Sequence, residues 1–267
     1  MSTHHAPRTT HHVLVTGGAG FIGSHLVERL LADGKSVVVV DDLSTGRLEN
    51  LRAVRAQPRL RVIESRVSSC RELGQLVAEA ESVYHLAAAV GVELVVRSPI
   101  HVLETNLHET EVLLEAAAGQ GVPVLLASTS EVYGKSQKDA FGEEDDLLIG
   151  PPHQSRWSYA CSKLMDEFLA LAYAKERALP VTITRLFNTV GPRQTGQYGM
   201  CCPGLSRQPG AGNRFAYMAM GSRRAASAMC ATRSKRWCGY RLARRRAGRC
   251  SMWAARKKSA CGTWPAE

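Results

Sequence analysis

Val13-Leu14-Val15-Thr16-Gly17-Gly18-Ala19-Gly20-Phe21-Ile22-Gly23 is the stretch that decides the fold. Its first four residues read as a short apolar strand. The strand runs straight into glycines that satisfy both a Gly18-x-Gly20-x-x-Gly23 and a Gly17-x-x-Gly20-x-x-Gly23 spacing. These open onto a segment, Phe21 to Ala32, that sets Ile22, Leu26, Leu30 and Leu31 on one helical stripe, with Gly34 as its stop. Glycines at such a junction permit the tight turn and let backbone amides approach a pyrophosphate, while the helix N-terminus supplies the positive end of its dipole. Asp41 closes the second strand and would accept hydrogen bonds from a ribose diol while repelling a 2'-phosphate, so NAD is expected over NADP.

Outward from this unit, short β-branched runs alternate with longer amphipathic stretches. Strands are read at 37–40, 60–63, 82–85, 124–127 and 181–186, helices at 71–80, 99–118 and 158–177, and a loop rich in acid, Gly and Pro at 142–152. The alternation predicts an α/β fold: a Rossmann-like doubly wound parallel sheet with helices on both faces. The expected division is a leader at 1–11, an NAD-binding body at 12–200 and a separate tail at 201–267.

Charge divides the chain at the same place. The formal charge of +10 suggests an anionic partner at first sight, yet residues 1–200 hold 19 Lys and Arg against 23 Asp and Glu, while 201–267 hold 15 basic residues and a single acid, Glu267. A nucleic-acid partner is not expected, because the excess lies off the patterned body. No run approaches a membrane span and no apolar signal core precedes the body, so a cytoplasmic protein is expected. Six of the eight cysteines also lie in the tail, at spacings that match no zinc signature. His4, His5, His11 and His12 are read as part of an unstructured leader rather than as metal ligands.

Tyr159 and Lys163 stand four apart in an expected helix and so share one face. A nearby ammonium favours the phenolate, which makes such a tyrosine a general base near neutral pH. Thr129 closes a strand at its C-terminal end, where ligands of open parallel sheets bind.

With these residues in place, the chain resembles the extended short-chain dehydrogenase/reductase family of nucleotide-sugar epimerases, dehydratases and decarboxylases. The resemblance is carried by TGGAGFIGSHL at 16–26, VVVVDDL at 37–43, YHLAA at 84–88, TN at 105–106, ASTSEVYG at 127–134, YACSK at 159–163 and RLFNTVGPRQTGQYGM at 185–200. It implies an NAD held by Gly17, Gly20, Phe21, Ile22, Gly23, Asp41, Leu86, Asn106 and Lys163, and a UDP-sugar substrate touched by Ser130 and Asn188. It further implies that Tyr159 takes the proton of the sugar 4-hydroxyl, that Lys163 binds the nicotinamide ribose and lowers the tyrosine pKa, and that Thr129 holds the reacting oxygen. A homodimer packed through the helices at about 99–118 and 158–177 is implied as well.

Glu131 marks the branch point. Dehydratases of the family carry an acidic pair after the catalytic Thr, and Ser130 occupies the first of those positions here. Glutamate in a TSE string also occurs in UDP-glucuronate decarboxylases, where it acts at the decarboxylation step. The stretch AVGVELVVRS at 89–98 leans the reading towards a 4-epimerase working through a transient 4-keto sugar, with a UDP-glucuronate decarboxylase or other Glu131-dependent dehydratase, or a truncated NAD-binding remnant without turnover, as the alternatives. At Glu64-Ser65-Arg66-Val67 the Gly-Asp pair that touches adenine in the family is missing.

Beyond Met200 neither a helical nor a strand period continues, and family strings of the substrate-capping domain are absent. That domain is therefore expected to be largely missing or disordered. A one-base slip of the reading frame near codon 200 accounts for the loss. Met and Trp have single codons, so the slip imposes valine at Met200-Cys201, Met229-Cys230, Trp237-Cys238 and Met252-Trp253, and glycine at Met218-Ala219, Met220-Gly221 and Trp253-Ala254. Family strings carry those residues in that order. A chain of this kind keeps its NAD site, loses its clamp on the nucleotide of the sugar and exposes apolar surface.

Overall fold

The computed structural model describes residues 11–138, 140–194, 228–229 and 251–254. Strand β1 (His12–Thr16) leads through the glycine turn into helix α1 (Phe21–Ala32), followed by β2 (Ser36–Asp41), β3 (Leu60–Glu64), α2 (Leu73–Ala78) and β4 (Ala80–His85). Then come α3 (Val92–Arg97), α4 (Pro99–Gln120), β5 (Val124–Thr129), α5 (Ser158–Glu176), β6 (Val181–Leu186) and the short β7 (Thr189–Val190), β8 (Ala228–Met229) and β9 (Ser251–Ala254). Seven strands form one sheet in the order β3-β2-β1-β4-β5-β6-β9, and β7 pairs with β8 in a second. All pairings in the large sheet are parallel. The chain winds outward from β1 in both directions, so the order reverses between β1 and β4, and a crevice opens there at the strands' C-terminal ends.

Burial on both faces follows from the period-two geometry of the strands. Leu14, Val38, Val40, Val83, Leu126 and Ile183 point to one side, against Leu113, Leu114 and Ala117 of α4 and Ala170 of α5. Their neighbours Val13, Val15, Val37, Val39, Tyr84 and Leu125 point to the other, against Leu26, Val27, Leu30 and Leu31 of α1. Helix α4 ends at Gly121, whose φ of +63° closes the helix with its N–H on the carbonyls of Ala117 and Ala118.

Several expectations change in detail. Strand β1 begins at His12, which is buried and pairs with Ser36 and Ala80, so this histidine belongs to the sheet and not to the leader. The helix expected at 71–80 shortens to Leu73–Ala78 because Ala80 is already paired in β4. Helix α3 was not foreseen. The tail, read as having no elements, contributes β9, which pairs with the open edge of β6, and β8, which pairs with β7. The rest of the tail, including its six cysteines, and residues 1–10 lie outside the described residues. No described helix is long and apolar enough to cross a membrane.

A buried ion pair ties three elements below the crevice. Glu167 of α5 accepts from Arg185 of β6 at 2.7 and 3.0 Å and from the Ser128 hydroxyl of β5. Both charged side chains are almost fully buried, at 4% and 2% exposure. The Arg185 guanidinium also lies over the Tyr133 ring, 4.9 Å from its centroid, and donates to the Glu143 carbonyl of the following loop. Removing one partner of such a pair strands the other charge in the interior. Glu167→Ala is therefore expected to cost about 3–5 kcal/mol in urea unfolding, and the double replacement Glu167→Leu with Arg185→Met to recover most of that loss.

Candidate active site

The glycine turn sits where β1, β2 and β4 end together. Gly17 has φ +71°, and a Cβ there would lie 2.7 Å from the Ala87 nitrogen. A Cβ on Gly18 would lie 2.7 Å from the Val39 methyls, and one on Gly23 would overlap the Gly17 carbonyl oxygen. Only glycine fits at these positions, and the backbone is thereby left bare in front of α1, whose N-cap is Gly20. Asp41 holds the turn from the side: its carboxylate accepts from the Ala19 N–H at 2.8 Å and from the Leu43 N–H at 2.9 Å. Burial drives the Asp41 pKa up, against the N–H groups of Leu43, Ala19 and Gly20 that pull it down. A carboxylate has about four acceptor positions, so the N–H groups of Ala19, Leu43 and Gly20 leave about one for a ribose hydroxyl. The turn, the helix end and Asp41 together fit a dinucleotide.

Across the crevice, Thr129 is the last residue of β5 and is 8% exposed. Its oxygen accepts from the Glu131 N–H at 3.2 Å, which sets the Ser130–Tyr133 3-10 turn and leaves its own O–H to donate. Asn106 of α4 is buried; it accepts from the Ala89 N–H at 2.7 Å and donates to the Ser162 hydroxyl at 3.1 Å. It thereby pins the segment after β4 to α5, which is support for the crevice rather than a reacting role. Leu86 donates its N–H to the Thr16 carbonyl at 3.1 Å and packs on the α1 side of the core. Phe21 and Ile22 open α1, both half-buried. Ser130 is half-buried, while Glu131 and Asn188 are exposed.

Tyr159 and Lys163 share a face of α5 as their spacing requires, but their electrostatics differ from expectation. The Lys163 ammonium donates to Asp166 at 2.8 Å in a buried pair. The Tyr159 phenol stands above its ordinary pKa, pushed up first by burial and then by the carboxylates of Glu131 and Asp166. The expected lowering by Lys163 is not what this structure holds, because burial dominates and the Glu131 and Asp166 carboxylates add to it. The same result places the Glu131 carboxylate within electrostatic reach of the Tyr159 phenol.

Sequence reasoning also missed a buried polar file behind the crevice. Thr16 Oγ1 lies 2.8 Å from His85 Nδ1, and His85 Nε2 lies 3.2 Å from Thr110 Oγ1. The (i, i+3) relation of Lys163 to Asp166 was the one legible signal for the acid; nothing local marks His85 or Thr110. Among the described residues no group of three or more His, Cys, Asp or Glu is placed to hold a metal ion.

The model of the family described as "NAD dependent epimerase/dehydratase family" matches residues 13–224. A UDP-N-acetyl-alpha-D-glucosaminuronate decarboxylase of Bacillus cytotoxicus is 40% identical over 195 residues, covering 73% of this chain and 60% of that protein. UDP-glucuronic acid decarboxylase 1 of Xenopus tropicalis is 37% identical over 181 residues, covering 68% of this chain and 42% of that protein. The chain thus spans between 42% and 60% of these two relatives' lengths. Among solved structures, a UDP-N-acetylglucosamine 4-epimerase of Methanobrevibacter ruminantium superposes with a TM-score of 0.64 at 30% identity, covering 70% of this chain and 58% of that one. The NDP-hexosamine 5,6-dehydratase TunA of tunicamycin biosynthesis gives 0.76 at 27% identity, covering 92% and 76%.

His85 gives the site a pH signature. Burial and, after it, the Lys163 ammonium lower its pKa to about 3. The folded state then binds fewer protons than the unfolded one between pH 6.5 and about 3, so the contribution is complete above that window and is lost as pH falls through it. At about 1.4 kcal/mol per pH unit, His85 is expected to cost the parent chain about 2 kcal/mol between pH 7 and pH 5. Urea titrations at the two pH values should show His85→Gln losing less stability over that interval by about the same amount.

Proposed function

The chain belongs to the NAD dependent epimerase/dehydratase family, and we propose that its site is built to oxidise C4 of a UDP-hexuronic acid and release the sugar carboxyl as carbon dioxide. The observation that carries this reading is Glu131 in the 3-10 turn after β5, which packs against α5 and sets its carboxylate charge within reach of the Tyr159 phenol. The curated relatives named above, both decarboxylases of UDP-linked uronic acids, support it. Within the stretch at 89–98, which leaned towards epimerisation, Val92–Arg97 form α3, on which Glu93 pairs with Arg97.

NAD, when bound, supplies the acceptor and donor of the sugar's C4 hydrogen. The glycine turn and Asp41 would hold its phosphates and ribose, and Lys163 would meet the nicotinamide ribose. Tyr159 takes the proton of the sugar 4-hydroxyl and returns it, while the Thr129 O–H donates to the reacting oxygen. Oxidation at C4 leaves the C6 carboxylate β to a ketone, the arrangement from which carbon dioxide leaves readily. Glu131, exposed at the mouth of the crevice, orients that carboxylate and relays a proton from water to the carbon left behind. A 4-epimerase is the second reading, favoured by the superposition on the archaeal 4-epimerase.

Two further assignments belong to this proposal. The chain acts in the cytosol as a homodimer, supported by the exposed Ile100, Leu103 and Leu107 on one face of α4 and Met165 and Phe168 on the adjoining α5. Residues 201–267 replace the capping domain with out-of-frame sequence, so the NAD site outlasts the grip on the nucleotide of the sugar.

Glu131→Gln is expected to abolish release of labelled carbon dioxide from UDP-glucuronic acid while NAD stays bound. Interconversion of UDP-glucose and UDP-galactose without carbon dioxide release would favour the epimerase instead. Turnover by the chain should lie at least about 100-fold below that of the same gene with its frame restored near codon 200, since remote binding energy orients the reacting sugar. Equal turnover would reject the assignment of the tail. Phe168→Glu should shift the mass in solution from dimer to monomer by light scattering.

A further inference from the structure

Asp166 lies nearly one turn beyond Lys163 on α5, and none of the steps assigned above uses it. The pair it forms with the Lys163 ammonium at 2.8 Å is closed off from solvent, with the lysine 2% exposed and the aspartate 0%. Burial pushes the Asp166 carboxyl above its ordinary pKa, and the Lys163 ammonium and the Thr110 hydroxyl of α4 act against that rise. Behind the pair, the file Thr16–His85–Thr110 runs from the end of β1 through β4 to α4. The neutral imidazole in its middle adds no second positive charge beside the ammonium.

We propose, resting on the cofactor reading above, that Asp166 is a positioning residue for Lys163: its buried carboxylate keeps the ammonium charged and fixed where a cofactor ribose meets it. An ammonium taken out of water favours its neutral form unless a counter-charge is at hand. A lysine stem also has many conformations to lose before its head is placed. One carboxylate at bonding distance answers both problems, and it occupies only one of the three ammonium donors, leaving two for a diol.

The charged and titratable groups around the pair are His85 from β4, Tyr159 and Glu167 from α5 itself, Arg185 from β6, which is held by Glu167, and Glu131 from the 3-10 turn beside Tyr159. Helix α4 presents the uncharged Thr110 and Asn106. His85 stays neutral across the neutral and alkaline range, so it does not confound titration there.

The test takes two measurements on the full chain. In calorimetric titration with NAD, Asp166→Asn should weaken binding about tenfold or more at pH 7. The loss should be larger at pH 9 than at pH 7, while the parent changes by less than about twofold between them. Asp166→Glu should recover most of the affinity, and in a Lys163→Met background Asp166→Asn should cost nothing further. An Asp166→Asn chain that binds like the parent at both pH values overturns the proposal, as does one that loses the same affinity with or without Lys163. Thermal unfolding needs no cofactor: Asp166→Asn should lower the midpoint and the double replacement with Lys163→Met should restore it, whereas a double variant as unstable as the single one overturns the idea. A parent chain that binds no NAD would defeat the proposed function, and the unfolding comparison would still decide whether Asp166 holds the charge of Lys163.

Discussion

Everything in this structure depends on how closely backbone can approach backbone at the end of β1. Thr16 is paired with Val40 on one side and His85 on the other, and the next residue must turn away within a space bounded by the Ala87 nitrogen. A side chain at Gly17 or Gly23 would collide with main chain, which cannot move aside without unpairing the sheet. The glycines thus serve packing first. The bare amides they leave in front of α1 are a consequence of that packing, and the binding crevice is its product.

Charge inside the body is handled in pairs. Glu167 meets Arg185, Asp166 meets Lys163, and Asp41 is met by backbone N–H groups. The first pair clamps β5, α5 and β6 below the crevice, and the second lies at the crevice itself. The two sit side by side on α5, so the helix carries a structural acid and an acid next to the reacting groups in adjacent positions. Substituting one should leave the other's partner in place, which is why their effects can be separated experimentally.

The sheet was legible because its central strands are buried on both faces and read as continuous apolar runs, and the glycine spacing fixed where the crevice opens. The residues on the crevice, Thr129, Tyr159 and Lys163, were legible as types at strand and helix ends. Their electrostatics were not. Whether Lys163 lowers the Tyr159 pKa depends first on how deeply the phenol is buried and then on the carboxylates of Glu131 and Asp166, none of which sequence spacing weighs against the lysine's charge. His12 was misread for a related reason: a histidine beside other histidines looks like leader, and only its pairing with Ser36 and Ala80 reveals a strand. Helix α3 was too short to establish a period.

The tail sharpens the relation between sequence and fold. Its composition departs from the body near residue 200, before the family match ends at residue 224, yet Ser251–Ala254 still pairs with β6. An open edge of a parallel sheet offers unpaired N–H and C=O groups to any extended segment, and backbone pairing makes few demands on side-chain identity. Strand pairing at 251–254 is therefore compatible with sequence read in the wrong frame. A substrate clamp is not, because it requires particular side chains at particular places. The body can hold a cofactor on geometry that glycine and one aspartate supply, while a grip on a sugar nucleotide demands particular side chains that backbone pairing alone does not provide.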